Sequence, residues 1–164
     1  MMVCSKVRDH FGPEKEQFEL MKNVLLSLSL LIFALPLLAE GPKWETDFEA
    51  AKIKAAKENK SILVNFSGSD WCGWCKKLDR EVFRKKVFQQ FAAEELVLVQ
   101  LDFPRYKRLP AELEQNNTRL LRKFGVQGFP TVLLIDSQER ILLRTGYYPG
   151  GPDAYIKHLQ PHIN

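Results

Sequence analysis

The sequence predicts an α/β protein in which helices flank a central mixed β-sheet and a CxxC motif lies at a strand-to-helix turn. Two short apolar runs, "SILVNF" at 61–66 and "LVLVQLD" at 96–102, have the length and composition of buried strands. Helical patterns separate these runs, which is typical of sheets with parallel strands. Two later runs, "TVLLID" and "ILLRTG", are joined by a short polar link and predict a hairpin that adds an antiparallel strand.

The N-terminal segment has the pattern of an export signal. Residues 24–39, "VLLSLSLLIFALPLLA", carry no charge and follow Met21 and Lys22. The run is shorter than the ~20 apolar residues that span a membrane, and a basic end, an apolar run and a small final residue are typical of a secretory signal. We therefore predict a signal peptide at 21–39, cut after Ala39. The alternative is an uncleaved anchor that tethers the protein to the membrane through 24–39.

Residues 1–20 precede this signal and mix acidic with basic side chains. A secretory signal needs its basic end at the start of the chain. We therefore interpret 1–20 as an over-extended start ahead of a true start at Met21, with a polar extension as the alternative.

Residues 40–164 have the length of one ordinary domain. The full chain has 24 Lys and Arg against 20 Asp and Glu, a net charge of +4, and the excess is scattered along the sequence. Scattered charge is typical of solvated surfaces, so we expect no nucleic-acid partner. We expect the domain to be periplasmic or otherwise exported, in a compartment where a disulfide persists. The alternative location is the exported face of a membrane to which the protein is anchored.

The first half of the domain predicts a helix, a strand and a second helical region. Thr46 or Asp47 can cap a helix through "FEAAKIKAAKENK". Apolar residues recur in it at helical spacing: Phe48, Ala51, Ala55 and Ala56. After the strand at 61–66 and the CxxC motif, "KKLDREVFRKKVFQQFAAEE" predicts one long helix or two abutting helices.

The second half predicts a strand, a helix, the hairpin and a final helix. The strand at 96–102 is followed by a charged loop, and Pro110 suits the first turn of a helix that ends at Gly125. Pro152 and Asp153 open the last helix, with Tyr155, Ile156 and Leu159 facing inward. The predicted order is α-β-α-β-α-β-β-α, with parallel pairing of the strands that helices separate.

The segment "SGSDWCGWCKK", residues 67–77, contains Cys72 and Cys75, which could form a structural staple, half of a metal site or a reactive dithiol. The chain has one other cysteine, Cys4, and no histidines spaced to complete a zinc site, so zinc is disfavoured. A bridge across two residues closes a very small loop and would stabilise the fold little. The reactive dithiol is the favoured interpretation, and we predict no metal.

The two cysteines have different positions relative to the helix that follows. Cys72 lies at or next to its first residue, where unpaired N–H groups and the helix dipole favour a thiolate. Cys75 lies one turn inside, and we expect it to be the more buried of the two. Cys72 is therefore the predicted nucleophile and Cys75 the resolving thiol. Lys76 adds positive charge nearby, and Asp70 is a second candidate for electrostatic support.

The segment "GVQGFPT", residues 125–131, places Pro130 directly before a buried strand. A cis Phe129-Pro130 bond would turn the chain sharply and leave the backbone of Phe129 free to pair with an extended substrate. We predict that this bond is cis.

WCGWCK after a strand, GVQGFPT further along, and a closing hairpin and helix together resemble the thioredoxin superfamily. The segment "NFSGSDWCGWCKKLDREVF" is similar to the branch of exported thioredoxin-like proteins that includes DsbH and the C-terminal domain of DsbD. The resemblance implies a thioredoxin fold, a Cys72 nucleophile, a resolving Cys75 and a facing cis-Pro130. It also implies that the protein has no metal or organic cofactor and takes electrons from a partner's dithiol.

Three positions depart from the pattern of that superfamily. Asn65 occupies the strand position of a buried acid, for which Asp70, Asp79 or Glu81 could substitute. Trp74 replaces a proline, and Phe129 is larger than the residue that usually precedes the cis-proline. We assign the following residues to the substrate groove: Trp71, Gly73, Trp74, Phe129 and Pro130. Within it we expect Trp71 to be packed and Trp74 exposed. Residues 147–149 are interpreted as an ordinary loop, with a place in the lining of the same groove as the alternative, and His158 and His162 as surface residues.

The predicted function is that of an exported thiol:disulfide oxidoreductase, a reductase or isomerase of protein disulfides. Its expected partners are disulfide-containing proteins and a membrane or exported dithiol donor of electrons. Two alternatives remain: a redox-inert or metal-delivering binding module on the same scaffold, and a disulfide-forming oxidant.

Overall fold

The computed structural model describes residues 41–163 and contains a five-stranded mixed sheet in the order β1-β3-β2-β4-β5. The strands are β1 (Trp44–Glu45), β2 (Ser61–Ser67), β3 (Leu96–Asp102), β4 (Thr131–Ile135) and β5 (Ile141–Thr145). The helices are α1 (Phe48–Glu58), α2 (Gly73–Leu78), α3 (Lys86–Glu95), α4 (Ala111–Lys123) and α5 (Gly151–Leu159). The predicted fold class, helices around a mixed sheet with the CxxC motif at the turn from β2 into α2, is confirmed.

Helices cover both faces of the sheet because its central strands are buried on both sides. Every residue of β2 is buried, as expected for a strand between two layers of helices. One face packs Ile62, Val64 and Phe66 of β2 against α1 and α4. The other packs Leu63 and the alternate residues of β3 and β4 against α2, α3 and α5, with Phe88 and Tyr155 fully buried.

The sequence prediction of parallel pairing holds for β2 and β3 but is wrong for β2 and β4. β2 and β3 run parallel from Ser61 opposite Leu96 to Ser67 opposite Asp102. β4 runs antiparallel to β2, with Thr131 opposite Phe66. The reason is that the connection through α4 leaves β3 and re-enters the sheet at the same edge. A parallel crossover must instead return the chain to the end of the sheet at which β2 and β3 begin.

The helix boundaries agree with most of the predicted signals. Asp47 is the N-cap of α1, and its carboxylate accepts the Ala50 N–H at 3.0 Å. Ala56, predicted on the apolar side of α1, is exposed. Pro110 precedes α4 as its N-cap instead of lying in the first turn, and Gly125 follows α4 with a φ of 59° that glycine adopts without strain.

The region after the CxxC motif forms two helices, the second of the predicted alternatives. α2 continues into a π-helical turn over Asp79–Phe83. Lys85 then has an extended backbone and begins α3 as its N-cap. Among the described strands and α-helices, the sequence does not predict β1. This strand pairs with β3 in parallel, with Trp44 opposite Leu98.

The predicted signal or anchor at 21–39, the segment 1–20 and Cys4 lie outside the described residues. Within 41–163, no helix has the length and apolar character needed to cross a membrane.

Candidate active site

The turn between β2 and α2 places Cys72 at the start of the helix. The Cys72 N–H donates to the Gly68 carbonyl oxygen at 2.9 Å, which closes the turn. Cys72 itself is the N-cap of α2, with an extended backbone. A Cβ on Gly68 would lie 2.5 Å from the Trp71 indole, so only glycine allows the tryptophan to pack against this turn.

Cys72 and Cys75 form a disulfide, and their Cα atoms are 5.3 Å apart. The Cys75 N–H donates to the Cys72 sulfur at 3.2 Å. The expected difference in burial is not observed, because the two residues are 6% and 5% exposed. The cysteines differ instead in their surroundings: the Cys72 sulfur receives a backbone N–H at the helix N-terminus, whereas Cys75 lies within the first turn.

Trp71 and Phe129 form one aromatic wall next to the disulfide. The Trp71 indole N–H donates to the Phe103 carbonyl oxygen at 2.8 Å. Its ring meets Phe129 edge to face, with 5.8 Å between the ring centroids. Phe129 in turn stacks on Phe103 at 5.1 Å. Trp71 is therefore packed, as the sequence predicts.

Trp74 and Tyr147 form a second aromatic wall. Trp74 is 57% exposed, as predicted, and its ring centroid lies 5.2 Å from that of Tyr147. The Lys77 ammonium lies 4.9 Å from the Trp74 ring and 4.8 Å from the Tyr147 ring. Sequence reasoning assigned Tyr147 to an ordinary loop. A position in the groove was the alternative, and it was not favoured because the two rings are brought together only by the sheet.

The Tyr147 side chain is held by an acid on the π-helical turn. Its hydroxyl donates to Glu81 Oε2 at 2.6 Å. This hydrogen bond is the main cause that holds the pKa of Glu81 below its usual value, with nearby cations acting in the same direction against desolvation. Glu81 is thereby a fixed anion that orients Tyr147 against Trp74.

The predicted electrostatic support consists of Asp70 and Lys76. Asp70 binds the loop that follows β3, and Lys76 binds the backbone of Asp70. The Asp70 carboxylate accepts backbone N–H groups from Arg105, Tyr106 and Lys107. Desolvation acts to raise the pKa of Asp70, but these three donors outweigh it and the pKa lies below its usual value. The Lys76 ammonium donates to the Asp70 carbonyl oxygen at 2.7 Å.

A cleft of about 540 Å³ opens on the Cys75 side of α2. Its floor includes Asn65, which is buried and donates from Nδ2 to Gln100 Oε1 at 2.9 Å. Within the described part of the chain, Asn65 Oδ1 has no hydrogen-bond partner. The carboxylates of Asp79 and Asp102 also line this cleft.

Pro130 lies at the same sheet edge as the CxxC motif. The Phe129-Pro130 peptide bond is cis. Thr131, the next residue, pairs with Phe66 just before the turn that carries the cysteines. The sheet thus brings together two motifs that are far apart in the sequence. Gly73, also assigned to the groove, is exposed and has open space at its Cβ position.

His158 and His162, the histidines within the described residues, do not join the site. His158 stacks on Tyr148 with 4.5 Å between the ring centroids and contacts Thr145 Oγ1 at 3.1 Å, and His162 is exposed. Between residues 41 and 163, no group of three or more His, Cys, Asp or Glu side chains is arranged to hold a metal ion.

Comparison with known proteins agrees with this geometry. The family of thioredoxin-like proteins matches residues 43–137. This chain belongs to the thioredoxin-like family. It is 35% identical over 125 residues to the disulfide bond reductase DsbH of Chlamydia pneumoniae, covering 76% of this chain and 75% of that protein.

Two further likenesses point to the same branch. The chain is 30% identical over 135 residues to the thioredoxin-related protein DsbJ of Chlamydia pneumoniae, covering 81% of this chain but only 39% of DsbJ. A solved structure of the DsbH oxidoreductase superposes with a TM-score of 0.72 and 33% identity, over 79% of this chain and 89% of that one. With its CxxC pair at disulfide distance, the chain is a thiol:disulfide oxidoreductase of the DsbH type.

Proposed function

We propose that this protein is an exported reductase of protein disulfides, with Cys72 as nucleophile and Cys75 as resolving thiol. The observation that carries the proposal is the Cys75 N–H, which donates to the Cys72 sulfur at the N-terminus of α2. In the reduced protein the same donor and the helix dipole stabilise a thiolate on Cys72. The thiolate is the attacking species in disulfide exchange.

The reaction is two successive thiol–disulfide exchanges. The Cys72 thiolate attacks one sulfur of the substrate disulfide, forms a mixed disulfide and releases the other substrate sulfur as a thiolate, which takes up a proton. Cys75 then loses its proton and attacks the Cys72 sulfur. The Cys72–Cys75 disulfide forms and the second substrate thiol leaves. The substrate gains two electrons and two protons, and a partner's dithiol, membrane-bound or exported, returns the domain to its reduced state.

The substrate groove lies between the two aromatic walls. An extended substrate segment would pair with the backbone at Phe129, next to Pro130, Trp71 and Gly73. The exposed Trp74 ring would cover it from the other side. Exposed aromatic surface of this kind suits unfolded or extended chains, which offer apolar side chains along their length.

The direction of electron flow is set by the reduction potential of the Cys72/Cys75 couple. Reduction is supported by the likeness to a protein named as a disulfide bond reductase. Disulfide isomerisation would use the same first step. Net oxidation of substrates and redox-inert or metal-delivering binding are the alternatives. The reduction potential of the Cys72/Cys75 couple against glutathione separates reduction from oxidation: a potential near about −270 mV favours a reductase, and one near about −120 mV favours an oxidant. A thiol count with and without reductant, together with metal analysis, tests the redox-inert or metal-delivering alternative.

The export part of the proposal rests on residues 21–39, which have the pattern of a signal peptide. N-terminal sequencing of the exported protein should find a start near Glu40. A membrane-bound species that still begins at Met21 would support the tether through 24–39, and a mature protein that begins at Met1 would contradict both versions.

The division of labour between the cysteines is tested by trapping. Cys75→Ser leaves the attacking thiol but no resolving thiol, so mixed disulfides with substrate or donor should accumulate on non-reducing gels. Cys72→Ser is the matched control and should trap few or none. If only Cys72→Ser trapped mixed disulfides, the roles of the two cysteines would be reversed. If both variants still reduced disulfides as the wild type does, the proposed reaction would be refuted.

A further inference from the structure

The loop after β3, residues 103–109, is fixed to the turn before Cys72 by the side chains of Asp70 and Trp71. Asp70 accepts the backbone N–H groups of Arg105, Tyr106 and Lys107 at 3.0, 2.8 and 3.2 Å. Trp71, the next residue, donates to the Phe103 carbonyl oxygen at the start of the same loop. Two neighbouring side chains of the motif therefore hold this loop at the rim of the groove.

This attachment places the Arg105 side chain on the aromatic wall. Its guanidinium carbon lies 3.7 Å from the centroid of the Trp71 ring. A cation at this distance over an indole face is held by the ring quadrupole, and a guanidinium also stacks on it as a plane. Arg105 is thus restrained beside the residue that immediately precedes the nucleophilic Cys72. Next to it, Tyr106 is 82% exposed and extends the same rim.

The Arg105 charge is not neutralised by a neighbouring acid. Among residues 41–163, no carboxylate oxygen lies within 4.0 Å of its guanidinium nitrogens. The two acids in the hydrogen-bond network of this loop, Asp70 and Asp102, have other partners. Asp70 is occupied by the loop N–H groups, and Asp102 accepts from Ser69 and pairs with Lys107 at 2.9 Å.

We propose that Arg105 is a specificity-determining residue that binds an acidic side chain next to the reacting cysteine of the substrate. The inference rests on the proposed function and names the substrate class of that site: disulfide segments with Asp or Glu beside the cysteine. Stacking on Trp71 uses the face of the guanidinium and leaves its edge N–H donors for a carboxylate. Such a contact is bidentate and stronger than an ordinary exposed ion pair.

The test uses disulfide-linked fluorogenic peptides that differ only in the residues beside the cysteine: Asp in one, Lys in the second and Asn in the third. The full exported domain is reduced, freed of reductant and mixed with each peptide, and the rate of disulfide cleavage is measured by stopped-flow fluorescence. Flanking charges also change the reactivity of the peptide thiols. Each rate is therefore divided by the rate at which a small neutral dithiol reduces the same peptide.

For the wild-type domain at low salt, we expect the normalised rate for the Asp peptide to exceed that for the Lys peptide by about threefold to tenfold. Arg105→Gln should reduce this ratio to about one, and Arg105→Glu should invert it. Arg108→Gln is the matched control, because it removes the same charge from the same loop and should retain most of the preference. Raising the ionic strength from about 0.01 M to about 1 M should weaken the preference, since the Debye length falls from about 30 Å to about 3 Å.

Three results would overturn the inference: equal normalised rates for the Asp and Lys peptides in the wild type, an unchanged ratio in Arg105→Gln, or an equal loss in Arg108→Gln. The last result would mean that the loop acts only through its total charge. These outcomes differ from failure of the proposed function, in which the wild-type domain would reduce none of the three peptides.

Discussion

The contribution of the hydrogen bond from the Cys75 N–H to the Cys72 sulfur can be isolated by comparing two variants that both lack the Cys75 thiol. Cys75→Ala and Cys75→Pro both lack the resolving thiol, but only the proline lacks the N–H group. Residue 75 is the third residue of α2, within the first turn, where the residue four positions back lies outside the helix. A proline there therefore removes one donor and meets no helical carbonyl group.

The expected effect follows from that single donor. Hydrogen bonds to an ionised partner contribute about 1.5–3 kcal/mol, and sulfur is a weak acceptor, which favours the lower end. A loss of about 1.4 kcal/mol reduces the thiolate population about tenfold. Nucleophilicity rises as the thiolate becomes more basic, with a Brønsted slope of about 0.5. The alkylation rate of Cys72 at acidic pH should therefore fall by only about threefold.

The assay is the rate of alkylation of Cys72 against pH in the two variants, with far-UV circular dichroism to show that both are folded. In Cys75→Pro the rate profile should move to higher pH, and its high-pH plateau should rise because the thiolate is more basic. Identical profiles for Cys75→Ala and Cys75→Pro would refute the reasoning. The Cys75 N–H would then not be the group that stabilises the attacking thiolate.

Other contacts at the site give three further predictions. The pKa of Glu81 lies below its usual value of 4.5 because the Tyr147 hydroxyl donates to its carboxylate. The hydrogen bond between Tyr147 and Glu81 is therefore complete above pH 4.5 and is lost as the pH falls through the lower pKa that Glu81 has in the folded protein. Indole fluorescence should change in that acidic range in the wild type and not in Tyr147→Phe. Gly146→Ala places a Cβ 2.8 Å from the Pro130 carbonyl oxygen and should lower the free energy of unfolding by about 1–3 kcal/mol in urea denaturation. Gly73→Ala has open space at its Cβ, so it should leave the free energy of unfolding unchanged or slightly higher. Because the added methyl group would lie in the groove, it should slow the reduction of protein disulfides more than that of small disulfides. Equal effects on both substrates would mean that Gly73 is not part of the groove.

Local patterns in the sequence predicted most of the fold. The apolar run at 96–102 gives the exact bounds of β3, because strand composition and the residues that flank it are local signals. The start of α1 was readable as Thr46 or Asp47, since N-cap chemistry depends on a few consecutive residues. Cys72 was placed at or next to the start of α2 because the motif directly follows a strand. The juxtaposition of the CxxC motif and Pro130 came from the resemblance to a known superfamily and not from periodicity.

The features that sequence reasoning missed depend on contacts between distant segments. β1 has two residues, too few to show any period. The antiparallel pairing of β4 depends on the edge at which the chain re-enters the sheet, which no local pattern records. Tyr147 becomes part of the site because β5 ends beside α2, where its hydroxyl meets Glu81. The Asp70 carboxylate also accepts the Arg105 N–H, 35 residues further along the chain, and no local pattern indicates this contact.

The buried amide under the active-site helix changes how the Cys75 proton can move. At the position where thioredoxins carry a buried acid, Asn65 is 5% exposed and shares a hydrogen bond with Gln100 across β2 and β3. Amides do not titrate in the physiological range, so this part of the floor cannot accept the proton that Cys75 must lose before it attacks the mixed disulfide. The carboxylates among the described residues that line the same cleft are Asp79, paired with Arg84 at 2.5 Å, and Asp102, paired with Lys107. Cys75 is 5% exposed and lines this cleft of about 540 Å³, and we infer that the cleft is the route by which water reaches the thiol. The resolving step should therefore depend on solvent access to this cleft. Asn65→Leu places an apolar side chain in the floor and should slow resolution of a preformed mixed disulfide while leaving the alkylation profile of Cys72 unchanged. An equal change in the resolution rate and in the alkylation profile would mean that the amide has a purely structural role.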